Sequence, residues 1–213
     1  MFGIPKQKLK ILKKLNTPKK IQDFLDAMPR NFCEDGDTSL PPMQVLRQRR
    51  CHCLEGAVLA ALALRLQGHE PLIMDLKATK DDLDHVVAPF KQYGCWGAIS
   101  KTNHAVLRFR EPVYNSIREL ALSYFHEYFD DKGKKNLRSY SLPFNLKRYD
   151  KKNWMTTLEE IDYIPEDLDD AKHFPILNLK QIRNLRRADK IEIYAGKITE
   201  WKKNGKRKIG FDL

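Results

Sequence analysis

No apolar run in the 213-residue chain approaches the roughly 18 residues that a membrane-spanning helix needs. The first residues carry lysines where a secretory leader would place its apolar stretch, so the cytoplasm is the expected compartment. Cysteine is scarce as well. Four residues, Cys33, Cys51, Cys53 and Cys95, do not make a disulfide framework in a chain of this size without a leader, and reduced thiols are expected. Also missing are a phosphate-binding glycine loop, a zinc-protease helix motif, internal repeats and low-complexity tracts. Neither a cofactor nor a metal is expected. Cys51-His52-Cys53 invites a zinc reading, but structural zinc usually shows paired Cys-x-x-Cys knuckles, and only isolated Cys33, Cys95, His85 and His104 remain to complete a set. Cys51, Cys33 and Cys95 read more simply as small packing residues.

A hydrophobic content of 42% suffices for one substantial core, which predicts a single domain with extensions. The net charge of +11 is unevenly spread: residues 1–20 hold seven lysines and no acid, and residues 180–213 hold eleven basic against four acidic residues. The organisation expected is therefore a basic N-terminal segment (1–16), a central domain (17–179) and a basic, β-rich tail (180–213) packed on that domain. Such ends suit weak contact with an acidic partner, nucleic acid or an anionic membrane surface, and a solvated surface is the plainer reading. Oligomeric state is not legible.

Cys53 carries the most chemistry. It opens the run Cys53-Leu-Glu-Gly-Ala-Val-Leu-Ala-Ala-Leu-Ala-Leu-Arg65, whose strong helix formers continue until Gly68. A thiol in a first helical turn is acidified by the N–H groups and dipole there, and a neighbouring imidazolium adds to this. His85 opens the run His-Val-Val-Ala-Pro-Phe90, which reads as a strand. A thiol at a helix start and an imidazole at a strand start are what a Cys-His nucleophile pair requires of a fold.

Cys53, Ala57, the Leu-Ala repeats, Gly68, Pro71, the strand Leu72–Leu76, His85 and Trp96 together resemble the transglutaminase-like superfamily, over residues 53–109. The resemblance implies an α+β fold with a papain-like/transglutaminase-like core, in which a nucleophile helix packs on an antiparallel β-sheet and further helices flank it. It also implies a third polar residue on the strand after His85, to orient the imidazole. The superfamily pattern leads one to expect an Asp a few positions past the Trp. Here that slot reads Ser100, and no Asp occurs between His85 and Asp130. Asn103 is the first candidate for the role, as an amide oxygen can accept from the imidazole, and Ser100 is the second. Papain-like enzymes use a Gln ahead of the nucleophile in the oxyanion hole, which suggests Gln48, with Gln44 as the alternative. Trp96 is a further cleft candidate.

The remaining pattern supplies a frame. Lys6–Leu15 suits a short amphipathic helix, and Thr17-Pro18 is an N-cap followed by proline, opening a helix with Ile21, Phe24, Leu25 and Met28 inward. Residues 31–42 read as a loop. Strands are expected at Leu72–Leu76, Asp84–Phe90, Cys95–Ser100 and His104–Phe109, with a tight turn at Gln92-Tyr-Gly94. Glu111-Pro112 is expected to start a helix running to Phe129, with Val113, Leu120, Tyr124 and Tyr128 as core and His126 beside that face. A short acidic helix is expected near Leu158–Tyr163, and strands from Lys190 with a hairpin turn at Asn204-Gly205. The acids Asp81, Asp82 and Asp84 read as solvated, with a side effect on the imidazole.

The function expected is a thiol enzyme: Cys53 attacks an amide or ester carbonyl and a thioester follows, resolved by water or by an amine. Its substrate would be a peptide or protein. Two rivals are an inactive transglutaminase-like binding module, suggested by the missing Asp, and a nucleic-acid-associated protein using the basic ends.

Overall fold

The computed structural model describes residues 2–32, 38–203 and 206–211. Four helices come first: α1 (Lys6–Lys14), α2 (Pro18–Asp26), α3 (Pro42–Gln48) and α4 (Cys53–Leu66). Thr17 caps α2 by accepting from the Lys20 N–H, with Pro18 at the first helical position. Every residue of α4 from Leu54 to Leu64 is buried, so this helix lies at the centre of its layer. The other three pack around it, and the lysine-rich α1 turns Leu9, Leu12 and Leu15 inward.

The sheet follows, from β1 (Leu72–Lys77), β2 (His85–Gln92), β3 (Cys95–Ser100) and β4 (Arg110–Tyr114), then α5 (Ile117–Phe125), β5 (Ser139–Ser141) and β6 (Phe144–Asn145). A 3-10 turn (Leu146–Lys152), α6 (Tyr163–Asp169), β7 (His173–Pro175), α7 (Leu179–Arg183) and α8 (Lys190–Gly196) lead to the two-stranded β8 (Ile198–Lys203) and β9 (Lys206–Phe211). The order in the main sheet is β4-β3-β2-β1-β5-β7, with β6 also on β1, and its pairings are antiparallel. Both faces are covered. Ile73, Val86, Ala88, Phe90 and Ile99 join the core of α4, while Met74, Leu76, Val87 and Ala98 join that of α5. This is why β2 reads as a continuous apolar run: a strand buried on both faces has no polar side. The protein is α+β, with an antiparallel sheet between helices.

Tyr93 and Gly94 both have positive φ, forming the two-residue turn that the right-handed twist of a β2–β3 hairpin requires. Elsewhere the outline differs from expectation. Residues 104–109 form no strand beyond an isolated bridge from His104 to Thr199, and Glu111-Pro112 lies in β4 instead of opening a helix. β4 is an edge strand, where a proline lacking its N–H is tolerated. The following helix takes Ser116 as its cap, with the Ser116 hydroxyl accepting from the Glu119 N–H, and it ends at Phe125. Val113 is therefore exposed, whereas Leu120, Tyr124, Phe125 and Tyr128 are core. His126 is exposed. The acidic helix falls at α6, later than expected, and Lys190–Gly196 is helical because Asp189 and Glu192 form a capping box there. β8 and β9 form the expected hairpin, whose turn residues Asn204 and Gly205 lie outside the described residues. Among the described residues no helix is long and apolar enough to cross a membrane.

Candidate functional site

Cys53 is the first residue of α4 and partly exposed to a cleft of about 460 Å³. The cleft draws its walls from distant parts of the chain, including Arg30, His52, His85, Asn103, Tyr128 and Lys197. Burial alone would raise the Cys53 thiol. The rings of His52 and His85 outweigh that effect and hold it well below its ordinary value.

His85 begins β2 and is 7% exposed. The loop before it is pinned: the Asp84 carboxylate accepts from the Ala78 N–H, and the Tyr128 hydroxyl donates to the Leu83 carbonyl. Burial raises the Asp84 carboxyl despite that bond. His85 Nε2 lies 2.8 Å from the Ser100 hydroxyl oxygen. That hydroxyl donates its own proton to the Leu107 carbonyl, so it receives the imidazole N–H and leaves Nδ1 as the nitrogen for the thiol. Gln22 grips Ser100 through both backbone groups: its Nε2 donates to the Ser100 carbonyl at 2.8 Å, and its Oε1 accepts from the Ser100 N–H at 2.9 Å.

The structure therefore brings Ser100 to the imidazole, and Asn103 does not take that place. The Asn103 Oδ1 accepts from Arg30 Nη1 at 2.9 Å and its carbonyl from the Glu200 N–H at 2.8 Å, so it ties the cleft wall to β8. The physical reason is register: Ser100 pairs with Val87 near the start of β2, whereas residue 103 is already beyond the end of β3. Gln48 does not reach the cleft either. It is exposed at the end of α3 and accepts from Arg50 Nε at 3.0 Å, since Arg49 in left-handed conformation turns the chain away. Gln44 donates to the Leu158 carbonyl at 3.0 Å. Trp96 lies on β3 beside Tyr114 and Lys91, outside the cleft lining.

Two residues of the site escape a motif reading. His52, the N-cap of α4, lies against the thiol with Nε2 2.7 Å from the Thr38 carbonyl. Glu55, 1% exposed, accepts from the Leu40 N–H at 3.1 Å, the His52 N–H at 2.9 Å, the Thr38 hydroxyl at 2.7 Å and the Asn31 amide. It therefore holds the loop, the cap and the helix start together. The signal available was an acid three residues after the cap, the spacing of a capping box. Beneath the site, buried Lys101 donates to the Leu25 and Met28 carbonyls at the end of α2, and burial lowers its pKa. Cys51 is fully buried, and burial pushes its thiol up to about 12, as suits a packing residue. Among the described residues no three His, Cys, Asp or Glu side chains gather as a metal-ligand set, and Cys33 lies outside those residues.

The site is thus a thiol flanked by two imidazoles at the start of a buried helix, on an α+β scaffold. No protein-family model and no curated protein matches the chain.

Proposed function

We propose that this protein is a thiol enzyme of the transglutaminase-like kind, a Cys-His hydrolase or acyltransferase that acts on a peptide or amide bond through a thioester. The observation that supports it most is the cleft-facing Cys53 against His85, with His85 Nε2 committed to the Ser100 hydroxyl. The chemistry follows from these groups. The Cys53 thiolate attacks the carbonyl, and the first-turn N–H groups of α4, which have no acceptor within the helix, stabilise the oxyanion. His85 gives its proton to the leaving amine, and the thioester remains on Cys53. Water, activated by His85, then releases the acid. Ser100 occupies the position where the superfamily pattern leads one to expect an Asp. As an uncharged acceptor it orients the ring while stabilising its cationic form less than a carboxylate would. The reading favoured is hydrolysis, with a peptide or protein as substrate.

Exposure of the full chain to p-nitrophenyl acetate, followed by intact mass and peptide mapping, tests this. An acetyl adduct on Cys53 that decays with time, absent in Cys53→Ser and persistent in His85→Ala, is the expected result. An alkylation profile of Cys53 with iodoacetamide inflecting near the ordinary thiol value of about 8.5, and no acetyl adduct, would remove the enzyme reading in favour of an inactive binding module.

A further inference from the structure

We propose that His52 is a second catalytic imidazole, a fixed proton holder that keeps Cys53 anionic while His85 alone carries the proton to and from the substrate. This rests on the thiol-enzyme reading above. The need for such a group arises from His85 itself. Its Nε2 faces an uncharged hydroxyl, which supports the cationic ring less than a carboxylate would, so His85 alone is a weak partner for the resting thiolate.

His52 is built differently. Its Nε2 lies 2.7 Å from the Thr38 carbonyl, an acceptor without a proton, so that nitrogen must be the donor N–H. The same nitrogen is 3.5 Å from Glu55 Oε1, whose other oxygen accepts from the His52 backbone N–H. The ring is thereby held from the loop side, with its Nε2 proton directed at the Thr38 carbonyl and Glu55. The groups that bear on its charge are Cys53, Glu55 and the Thr38 carbonyl, and the cleft it lines also carries Arg30, His85 and Lys101 together with the acids Asp82 and Asp84. Burial works against a charged ring here. Cys53, Glu55 and the Thr38 carbonyl together outweigh it and push His52 up to about 9.

In the resting site the Cys53 S–H bond breaks, its proton passes to His85 Nδ1 and the electron pair stays on sulfur as a thiolate, while His52 takes its second ring proton from bulk water. No electrons are gained or lost. During acylation His85 delivers its proton to the amine, and it then takes one from the attacking water, while His52 stays protonated throughout.

Two measurements on the full chain decide the matter. Iodoacetamide alkylation of Cys53, followed by peptide-resolved mass spectrometry against pH, is compared in wild type, His52→Asn and His85→Ala. Asparagine is a favoured N-cap residue, so the helix start is kept in this variant. The expected result is an inflection raised by about one unit or more in His52→Asn, a tenfold smaller thiolate fraction below it, and a smaller rise in His85→Ala. Imidazole nitrogen NMR of the wild type does not depend on any variant folding, and it should find both ring nitrogens of His52 protonated at pH 7. A neutral His52 ring at pH 7, or an inflection unmoved in a folded His52→Asn, overturns the proposal. Loss of the acetyl adduct overturns the enzyme reading instead, so the two failures are distinct.

Discussion

At the scale of single residues, the site depends on which acceptor meets which imidazole nitrogen. Ser100 is the acceptor for His85, and replacing it with Ala removes one hydrogen bond to an imidazole that becomes charged in the proposed mechanism. Such a bond contributes on the order of 1.5 kcal/mol, about tenfold in rate. Ser100→Ala is therefore expected to slow decay of the acetyl adduct about tenfold, read by mass spectrometry over time, while Asn103→Ala leaves that decay near wild type. The identity of the acceptor was only half legible. Both Ser100 and Asn103 stood at the right end of a strand, and the choice required the β2–β3 register, which pairs Ser100 with Val87. His52 and Glu55 were not legible as site residues: the three-residue spacing of a capping box was present, but their neighbours Thr38, Leu40 and Asn31 come from a loop whose path no local pattern determines.

At the scale of elements, the site depends on how closely α4 meets the end of β3. Gly56 faces Lys101, and a Cβ added there would lie 2.6 Å from the Lys101 Cβ and 3.6 Å from the Cys51 sulfur. Gly56→Ala should lower stability by about 1–3 kcal/mol through overpacking, although alanine is the better helix former. Urea unfolding followed by circular dichroism measures this. A second element-level contact joins β7 to β1. His173 Nε2 lies 2.9 Å from the Asp75 carboxylate and its Nδ1 lies 2.7 Å from the Ala171 carbonyl, so both nitrogens face acceptors and the ring is suited to the charged form. Asp75 raises the His173 pKa above its ordinary 6.5, against the opposing effect of burial. A raised folded pKa gives stability that is complete below about pH 6.5 and lost as pH rises through the folded value. The stability difference between wild type and His173→Gln should therefore be largest near pH 6 and shrink toward pH 9 in denaturant titrations. None of this pairing was visible in sequence, because residues 75 and 173 are brought together only across β5.

At the scale of the whole molecule, the basic ends turn out to be parts of the body. Leu12 of α1 is 1% exposed in the core around α4, so Leu12→Ala should cost about 2–4 kcal/mol, a drop visible as a lower thermal midpoint. A merely appended segment would leave that midpoint unchanged. At the other end, Ile193, Gly196 and Lys197 line the cleft, and β8 bonds to residues 103 and 105. The amino-acid sequence by itself determined what depends on near neighbours: the N-cap of α2, the tight turn at residues 93–94, the helix that begins at Cys53 and, to within one residue, the start of the strand that carries His85. Where local signals competed, it misled. Pro112 suits a helix start and an edge strand equally, and Lys190–Gly196 mixes β-branched residues with a capping box, so neighbours in space decided both. Only the tertiary structure decided that Ser100 and not Asn103 accepts the His85 Nε2 hydrogen bond, that Gln48 turns away, and that His52 and Glu55 belong to the site. Those outcomes rest on strand register and on loop paths over long separations, where the energy of a contact depends on partners that the local chain does not specify.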